Sequence, residues 1–342
     1  MTNPRIALVL GASGGIGGEV ARKLAARGWS VRALNRNPEA LQGAQKTLGV
    51  AWRQGDAMSA RDVAAAAEGA SVIVHAVNPP RYRNWGQLVL PMLDNTIAAA
   101  RANGARIVLP GTVYNYGPDV FPILREDSPQ NPVTVKGRIR AEMERRLRAA
   151  TQTGASALIV RAGDYFGARA RDNSWFSQLA TPGKPVAAIV YPGRPGVGHQ
   201  WAYLPDVAET MVRLLEKSEA LPAFASFNMD GYWDADGAGM IEAIREVVGN
   251  PRIPVRRTPW LFMRALSPFV PLFREVVEMR YLWTAPLRMD NSRLVAAIGE
   301  EPRTPLQTAV RDTLTGFGSL PAARAAALSN ATPAAAETPN SA

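Results

Sequence analysis

The chain contains no cysteine. Disulfides, thiolate metal sites and cysteine nucleophiles are excluded, and the composition suits a reducing compartment, so a cytoplasmic location is expected. Histidine is nearly absent as well. His75 and His199 are the only two, too few for an ordinary zinc site, so no metal is expected. A Ser-His-Asp hydrolase would have to use one of them, and no G-x-S-x-G elbow is present. No run of about 18 apolar residues occurs, which argues against stable membrane insertion. The apolar stretch in the opening "MTNPRIALVLGASGG" is too short for a signal-peptide core.

Positive charge is in excess, with a formal net charge of +10. No basic run with interleaved aromatics and no nucleic-acid motif accompanies it, so nucleic acid is not the expected partner. An arginine-rich, solubilising surface and an anionic small-molecule ligand are expected instead. The 342 residues suffice for one large or two unequal domains.

The first 160 or so residues alternate between two patterns. Short apolar runs at 5–10, 30–35, 50–55, 71–77, 105–110 and 156–163 read as buried parallel strands. Between them, 17–28, 59–69, 86–103 and 131–147 read as helices, with Ser59 an N-cap and Gly28 and Gly69 closing residues. The alternation predicts an α/β fold: a Rossmann-type doubly wound parallel sheet, with a smaller C-terminal α/β substrate domain after it. The expected division is 1–165 for the dinucleotide domain, completed by parts of 200–230, then 166–318, then a disordered tail at 319–342 that is low in bulky apolar residues. The apolar, aromatic segment 259–283 fits a packed core, a lid over a substrate pocket, or the face of a homodimer.

The most informative short stretch is "LVLGASGGIGGEV", which places Gly11, Gly14 and Gly17 between a first strand and a first helix. Gly11 permits a tight turn, Gly14 lets backbone N–H groups approach a pyrophosphate, and Gly17 lets the helix lie close on the sheet. The second strand ends "RALNRNP", with Asn35 and Arg36 where an NAD site usually has a carboxylate. A guanidinium can hold a 2′-phosphate that a carboxylate would repel, so NADP is the expected cofactor, with Arg32 as a second candidate for that contact. Asp56 follows the third strand, where such folds contact adenine.

Taken with "GDAMS", "VIVHAV", "GTVYNYG", "EDSPQNP", "VRAGDYFG", "YLPDVAE" and "MDNSRLVAAIGEEPRTPLQTAV", the glycine loop resembles the extended, epimerase/dehydratase-like branch of the short-chain dehydrogenase/reductase superfamily. The resemblance covers most of residues 5–315 and implies an NADP-dependent oxidoreductase or epimerase acting on a small polar or nucleotide-linked substrate. The alternative is an NADP-binding sensor or assembly protein without turnover. The implied cofactor-binding set is Gly11, Ser13, Gly14, Ile16, Gly17, Asn35, Arg36, Asp56, Ala57, Ala76, Val77 and Asn78.

The family's catalytic helix carries Tyr-x-x-x-Lys. Here "EDSPQNPVTVKGRIRAEME", framed on Glu126, Pro129, Pro132, Thr134, Gly137 and Glu144, presents Lys136 and Arg140 at those positions. Thr112 matches the family's substrate-orienting hydroxyl. Lys136 is expected either as a general acid, its pKa lowered by burial beside a fixed positive charge, or as a charged group stabilising a developing oxyanion, and Arg140 is the expected donor to ribose hydroxyls. Tyr114 and Tyr116 could supply a phenol from the opposite wall. The resemblance further implies substrate contacts from Asp164, Arg171, Asn173, His199 and Tyr203, whereas His75 reads as a structural partner near the cofactor.

Overall fold

The computed structural model describes residues 5–41, 49–79, 84–171 and 174–320. The chain begins with β1 (Ile6–Leu10), α1 (Gly15–Ala26), β2 (Ser30–Asn35), β3 (Ala51–Gln54), α2 (Ala60–Ala67) and β4 (Val72–His75). It continues with α3 (Trp85–Asn103), β5 (Arg106–Gly111), β6 (Ile123–Leu124), α4 (Val135–Thr151), β7 (Ser156–Arg161), β8 (Asp164–Phe166), α5 (Phe176–Leu179) and β9 (Ile189–Tyr191). Then come β10 (His199–Tyr203), α6 (Leu204–Glu216), β11 (Phe224–Asn228), β12 (Tyr232–Asp234), α7 (Gly239–Val248) and β13 (Val255–Arg257). The last elements are α8 (Trp260–Leu266), α9 (Pro271–Val277), β14 (Arg288–Met289), α10 (Ser292–Ile298) and α11 (Leu306–Phe317).

Seven strands form one parallel sheet in the order β11-β7-β5-β4-β1-β2-β3. Because side chains alternate across a strand, β1 feeds both faces. Ala7 and Val9 join a core with Val20 and Leu24 of α1 and Val207 and Met211 of α6. Leu8 and Leu10 join another core with Val63 of α2, Leu93 of α3 and Met143 and Leu147 of α4. The expected Rossmann-type doubly wound sheet is therefore present, with the strand order reversing between β1 and β4. Ligands in such sheets bind at the carboxyl ends of the strands flanking that reversal.

A third core holds the C-terminal part together, gathering Phe166, Phe176, Trp201, Met240, Ile244, Trp283, Leu314 and Phe317. It shows how segment 259–283 divides: Met279, Leu282 and Trp283 are buried there, while Leu261, Phe262, Phe269 and Leu272 are exposed. The onset of the expected tail is also corrected. Ser319 is buried and its hydroxyl donates to the Thr181 carbonyl at 3.1 Å, because the chain is still packed on this core. Residues 321–342 lie outside the described residues.

Local chemistry fixes the helix that the family comparison makes most important. The Thr134 hydroxyl caps α4 by accepting the Gly137 N–H at 2.9 Å. Ten residues further on, Glu144 receives the guanidinium of Arg161 in a bidentate pair, at 3.0 Å from Nε and 2.6 Å from Nη2. Both side chains are buried. Gln130 Nε2 donates to Glu144 at 2.7 Å, and Arg161 donates to Asn228 Oδ1 at 3.3 Å, so the network is well supplied with partners. Burial works against the charged Arg161, but the adjoining Glu144 carboxylate outweighs it and the guanidinium's pKa rises. Removing one partner of such a pair strands a buried charge and costs roughly 3–5 kcal/mol, whereas replacing both with apolar groups is often neutral. Arg161→Met should therefore lower unfolding stability in urea by about that amount, and Arg161→Met combined with Glu144→Leu should recover most of it.

Candidate cofactor and active site

A cleft of about 670 Å³ opens at the carboxyl ends of β1, β4 and β5. Gly11, Ser13, Gly14, Ile16, Asn35, Arg36, Asp56, Ala57, Ala76, Val77 and Asn78 all line it. Gly17 lies just behind, where a Cβ would come within 2.3 Å of the Gly11 carbonyl oxygen. Gly11 adopts φ +90°, and a Cβ there would sit 2.5 Å from the Ala76 carbonyl oxygen. The loop can thus fold tightly against β4 only with glycine, which turns the first N–H groups of α1 toward the cleft.

Arg169 also lines this part of the cleft and was not anticipated. A Cβ on Gly18 would meet its Nε at 2.8 Å, so the glycine makes room for the guanidinium over the first turn of α1. The arginine follows "DYFG", and nothing in its local spacing distinguishes it from Arg171 two residues on. Arg171 instead donates to the Gly316 carbonyl at 2.9 Å and does not line the cleft.

Just after β2, Arg36 is exposed at the cleft edge. The second candidate, Arg32, is occupied elsewhere, donating to the carbonyls of Ala66 at 3.3 Å and Glu68 at 2.5 Å. Asn35 Nδ2 reaches Ser13 Oγ at 3.4 Å, and Asp56 Oδ1 accepts the Met58 N–H at 3.0 Å, so both residues shape the turns around the cleft.

His75 ends β4 at the cleft and is buried. Its Nδ1 lies 2.8 Å from Thr96 Oγ1, and that hydroxyl donates its one proton to the Met92 carbonyl at 3.1 Å. Nδ1 must then carry the hydrogen, which leaves Nε2 a bare acceptor. Nε2 has no protein partner among the described residues. Burial, with Arg140 adding repulsion, lowers the His75 pKa to about 3. Arg140 lines the cleft, packs its guanidinium over the Trp85 ring at 5.1 Å and reaches the Asn78 side-chain amide at 3.3 Å. Glycine cradle, facing guanidinium and unpartnered acceptor together match the needs of an extended anionic dinucleotide.

Beyond Arg140 stand Thr112 and Tyr114, both lining the cleft. Thr112 Oγ1 accepts the Tyr114 N–H at 3.3 Å and caps a 3₁₀ turn over Val113–Asn115. The Tyr114 hydroxyl points at Asp164 Oδ1, 3.5 Å away, and the other oxygen of Asp164 holds His199 Nε2 at 2.9 Å. The imidazole is stacked on Trp283, with ring centroids 3.6 Å apart. Asp164 lines the cleft; His199 stands behind it.

Besides Arg171 and His199, which were expected to touch substrate and do not line the cleft, three more expected roles need correction. Lys136 does not line the cleft. Its Nζ lies 2.6 Å from Glu275 Oε2 and 3.8 Å from Glu278 Oε2, and donates to the Glu275 carbonyl at 2.9 Å. Carboxylates stand where a neighbouring cation was expected, because α9 and the turn after it cover the start of α4. Tyr116 is fully buried in the C-terminal core and also does not line the cleft; burial raises its pKa. Tyr203, expected at the substrate, donates to Asp312 Oδ2 at 3.1 Å behind the cleft wall. Asn173 lies outside the described residues.

A smaller cavity of about 150 Å³ lies on the other side of Trp283. Arg194, Arg257 and Arg280 line it with Trp260 and Trp283, and no carboxylate does. Trp175, which lines the main cleft, meets Trp283 edge-on at 5.3 Å, so one aromatic wall separates the two spaces. No group of acidic residues and histidines suited to a metal occurs among the described residues.

Residues 11–166 match the NAD(P)H-binding family. That match covers a little under half of the chain and spans most of the residues that line the cleft. Over nearly its whole length, moreover, the chain shares its fold with solved nucleotide-sugar epimerases. It is similar to UDP-glucose 4-epimerase from Bifidobacterium longum in complex with NAD+ and UDP, at 15% identity over 92% of this chain and 98% of that one, with a TM-score of 0.70. UDP-glucuronic acid 4-epimerase from Bacillus cereus in complex with NAD gives 15% identity, the same coverages and a TM-score of 0.71. UDP-glucose-4-epimerase from Stenotrophomonas maltophila, with bound NAD and formylated UDP-arabinopyranose, gives 17% identity over 96% of this chain and 100% of that one, at 0.71. No curated protein matches the chain in sequence.

The state of His75 generates a test. Its folded pKa of about 3 lies below the unfolded value of about 6.5, so its contribution is complete above the unfolded value and is lost as pH falls toward the folded one. Stability should fall by up to about 1.4 kcal/mol per pH unit through that window from this residue alone. His75→Asn should remove that component from the difference between the two proteins' pH–stability curves. Equal slopes would show that His75 titrates normally in the folded protein.

Proposed function

We propose that the chain is an NADP(H)-dependent oxidoreductase or epimerase acting on a nucleotide-linked polar substrate. The observation that carries this reading is that Thr112, Tyr114, Arg140 and Asp164 line the same cleft as the phosphate-binding glycines. When bound, the nicotinamide supplies the hydride acceptor or donor at a C–OH/C=O centre. The chain's own residues supply the rest. Arg169 and the first turn of α1 would hold the pyrophosphate, Arg36 would hold the 2′-phosphate, and His75 Nε2 would accept a hydrogen bond. Arg140 would donate to ribose hydroxyls.

Thr112 and Tyr114 flank the substrate oxygen, and the proton moves through the Tyr114 hydroxyl rather than through Lys136. Asp164 orients that hydroxyl, and His199 fixes Asp164 in turn. The three arginines beyond Trp283 favour a substrate with a phosphate-bearing tail. UDP or UDP-sugar derivatives bound to proteins of this fold are consistent with that class. A second reading, an NADP(H)-binding sensor without turnover, draws on the absence of Tyr-x-x-x-Lys and on the ion-paired state of Lys136.

Two measurements test the reading. NADPH should bind more tightly than NADH, and Arg36→Ala should erase roughly a tenfold preference; tighter binding of NADH would refute the role of Arg36. In single-turnover assays over a panel of UDP-sugars and small carbonyl compounds, Tyr114→Phe should slow hydride transfer by about a hundredfold or more. Lys136→Gln should leave the rate nearly unchanged while lowering stability. NADPH binding with no turnover across the panel would favour the sensor.

A further inference from the structure

The largest exposed apolar side chains gather on one short segment. Leu261 is 74% exposed, Phe262 58%, Phe269 81% and Leu272 58%. They lie on α8, on α9 and on the turn between them, where Pro268 and Pro271 bracket Phe269. Their opposite side is anchored. Trp260 Nε1 donates to the Pro192 carbonyl at 2.9 Å, and Glu275 of α9 holds Lys136. Phe262 and Phe273 meet edge-on at 6.3 Å, which ties the two helices to each other. The outward display is therefore a property of a fixed helical hairpin.

The exposed charged residues of this segment are arginines. Between Glu246 and Glu275 the sequence has Arg252, Arg256, Arg257, Arg264 and Arg274 and no acidic residue. Arg256, Arg257, Arg264 and Arg274 are exposed. Bulky apolar tips flanked by exposed arginines, with Glu275 of α9 engaged by Lys136, suit a surface that is apolar inside and anionic at its rim. Aromatic and leucine side chains can enter the acyl boundary while guanidinium groups remain among phosphates. A protein partner would have to bring an acidic rim around an apolar socket; a lipid surface offers both everywhere.

We propose that this hairpin docks the protein peripherally on an anionic lipid surface, with Phe269 and its neighbours entering the interface and Arg256, Arg264 and Arg274 contacting headgroup phosphates. The docking needs no spanning segment, and no helix among the described residues is long and apolar enough to cross a membrane. It is independent of the cofactor and of turnover.

The test uses the full chain and flotation with vesicles of phosphatidylcholine alone or mixed with phosphatidylglycerol. Binding should require the anionic lipid and weaken as salt is raised. Leu261→Ser with Phe269→Ser, and separately Arg264→Gln with Arg274→Gln, should each weaken it roughly tenfold or more. These side chains are exposed, so thermal unfolding and NADPH binding should stay as in the unaltered chain. Absence of vesicle binding overturns the proposal, as does binding unchanged in both double variants. Concentration-dependent dimerisation lost in the double serine variant, without vesicle binding, would assign the face to a second copy of the chain and equally overturn it.

Discussion

The bidentate pair between Arg161 and Glu144 is the constraint on which the arrangement of the cleft depends. It joins the end of β7 to the middle of α4 inside the protein, where neither charge could remain without the other. Asn228, at the end of β11, and Gln130, before α4, complete the partners. Helix α4 is thereby fixed in both height and rotation against the sheet. One turn before Glu144, Arg140 is delivered to the cleft against Trp85 and Asn78. The cost of the pair's desolvation is offset by positional certainty for a residue that would face the cofactor.

One turn earlier still, the same helix carries Lys136, and here side-chain reach decides the outcome. Lysine is long and flexible, and its ammonium goes where opposite charge is offered. Glu275 and Glu278 offer it on the far side from the cleft. A position that in related folds serves proton transfer is thus used as a strut that holds the C-terminal hairpin to the start of α4. In the proposed reaction the proton function falls to a phenol on the opposite wall. Tyr114 qualifies because its hydroxyl is at the cleft and faces a carboxylate that His199 keeps in place.

This division explains what could be read from the chain alone. The glycine loop, the alternation of strands and helices, and the caps at Ser59 and Thr134 are local signals, since each concerns residues within a few positions of one another. So are Asn35 and Arg36 at the end of β2. The partners of Lys136 lie roughly 140 residues away in sequence, and nothing near either end announces the pairing. The same holds for Arg169, whose place over Gly18 depends on how β8 approaches α1, and for Asp164 with His199, which meet because β8 and β10 are neighbours. Tyr114 and Tyr116 differ by two positions, yet the 3₁₀ turn between them sends one to the cleft and the other into the core.

The strut has a consequence for the rest of the C-terminal segment. Trp283 must stay on His199 to close the wall behind Asp164, and Met279 and Leu282 must stay in the core. The residues just before them, in α9, are then held against the start of α4 by Glu275, leaving Leu272 and Phe269 no buried surface to cover. Their exposure follows from the geometry that builds the back wall of the site. A chain selected only for solubility would tend to carry polar residues at such positions. Large apolar groups framed by arginine instead point to a surface used in association. The ion pair of Lys136 thus links the display of that surface to the helix that carries Arg140 into the cleft.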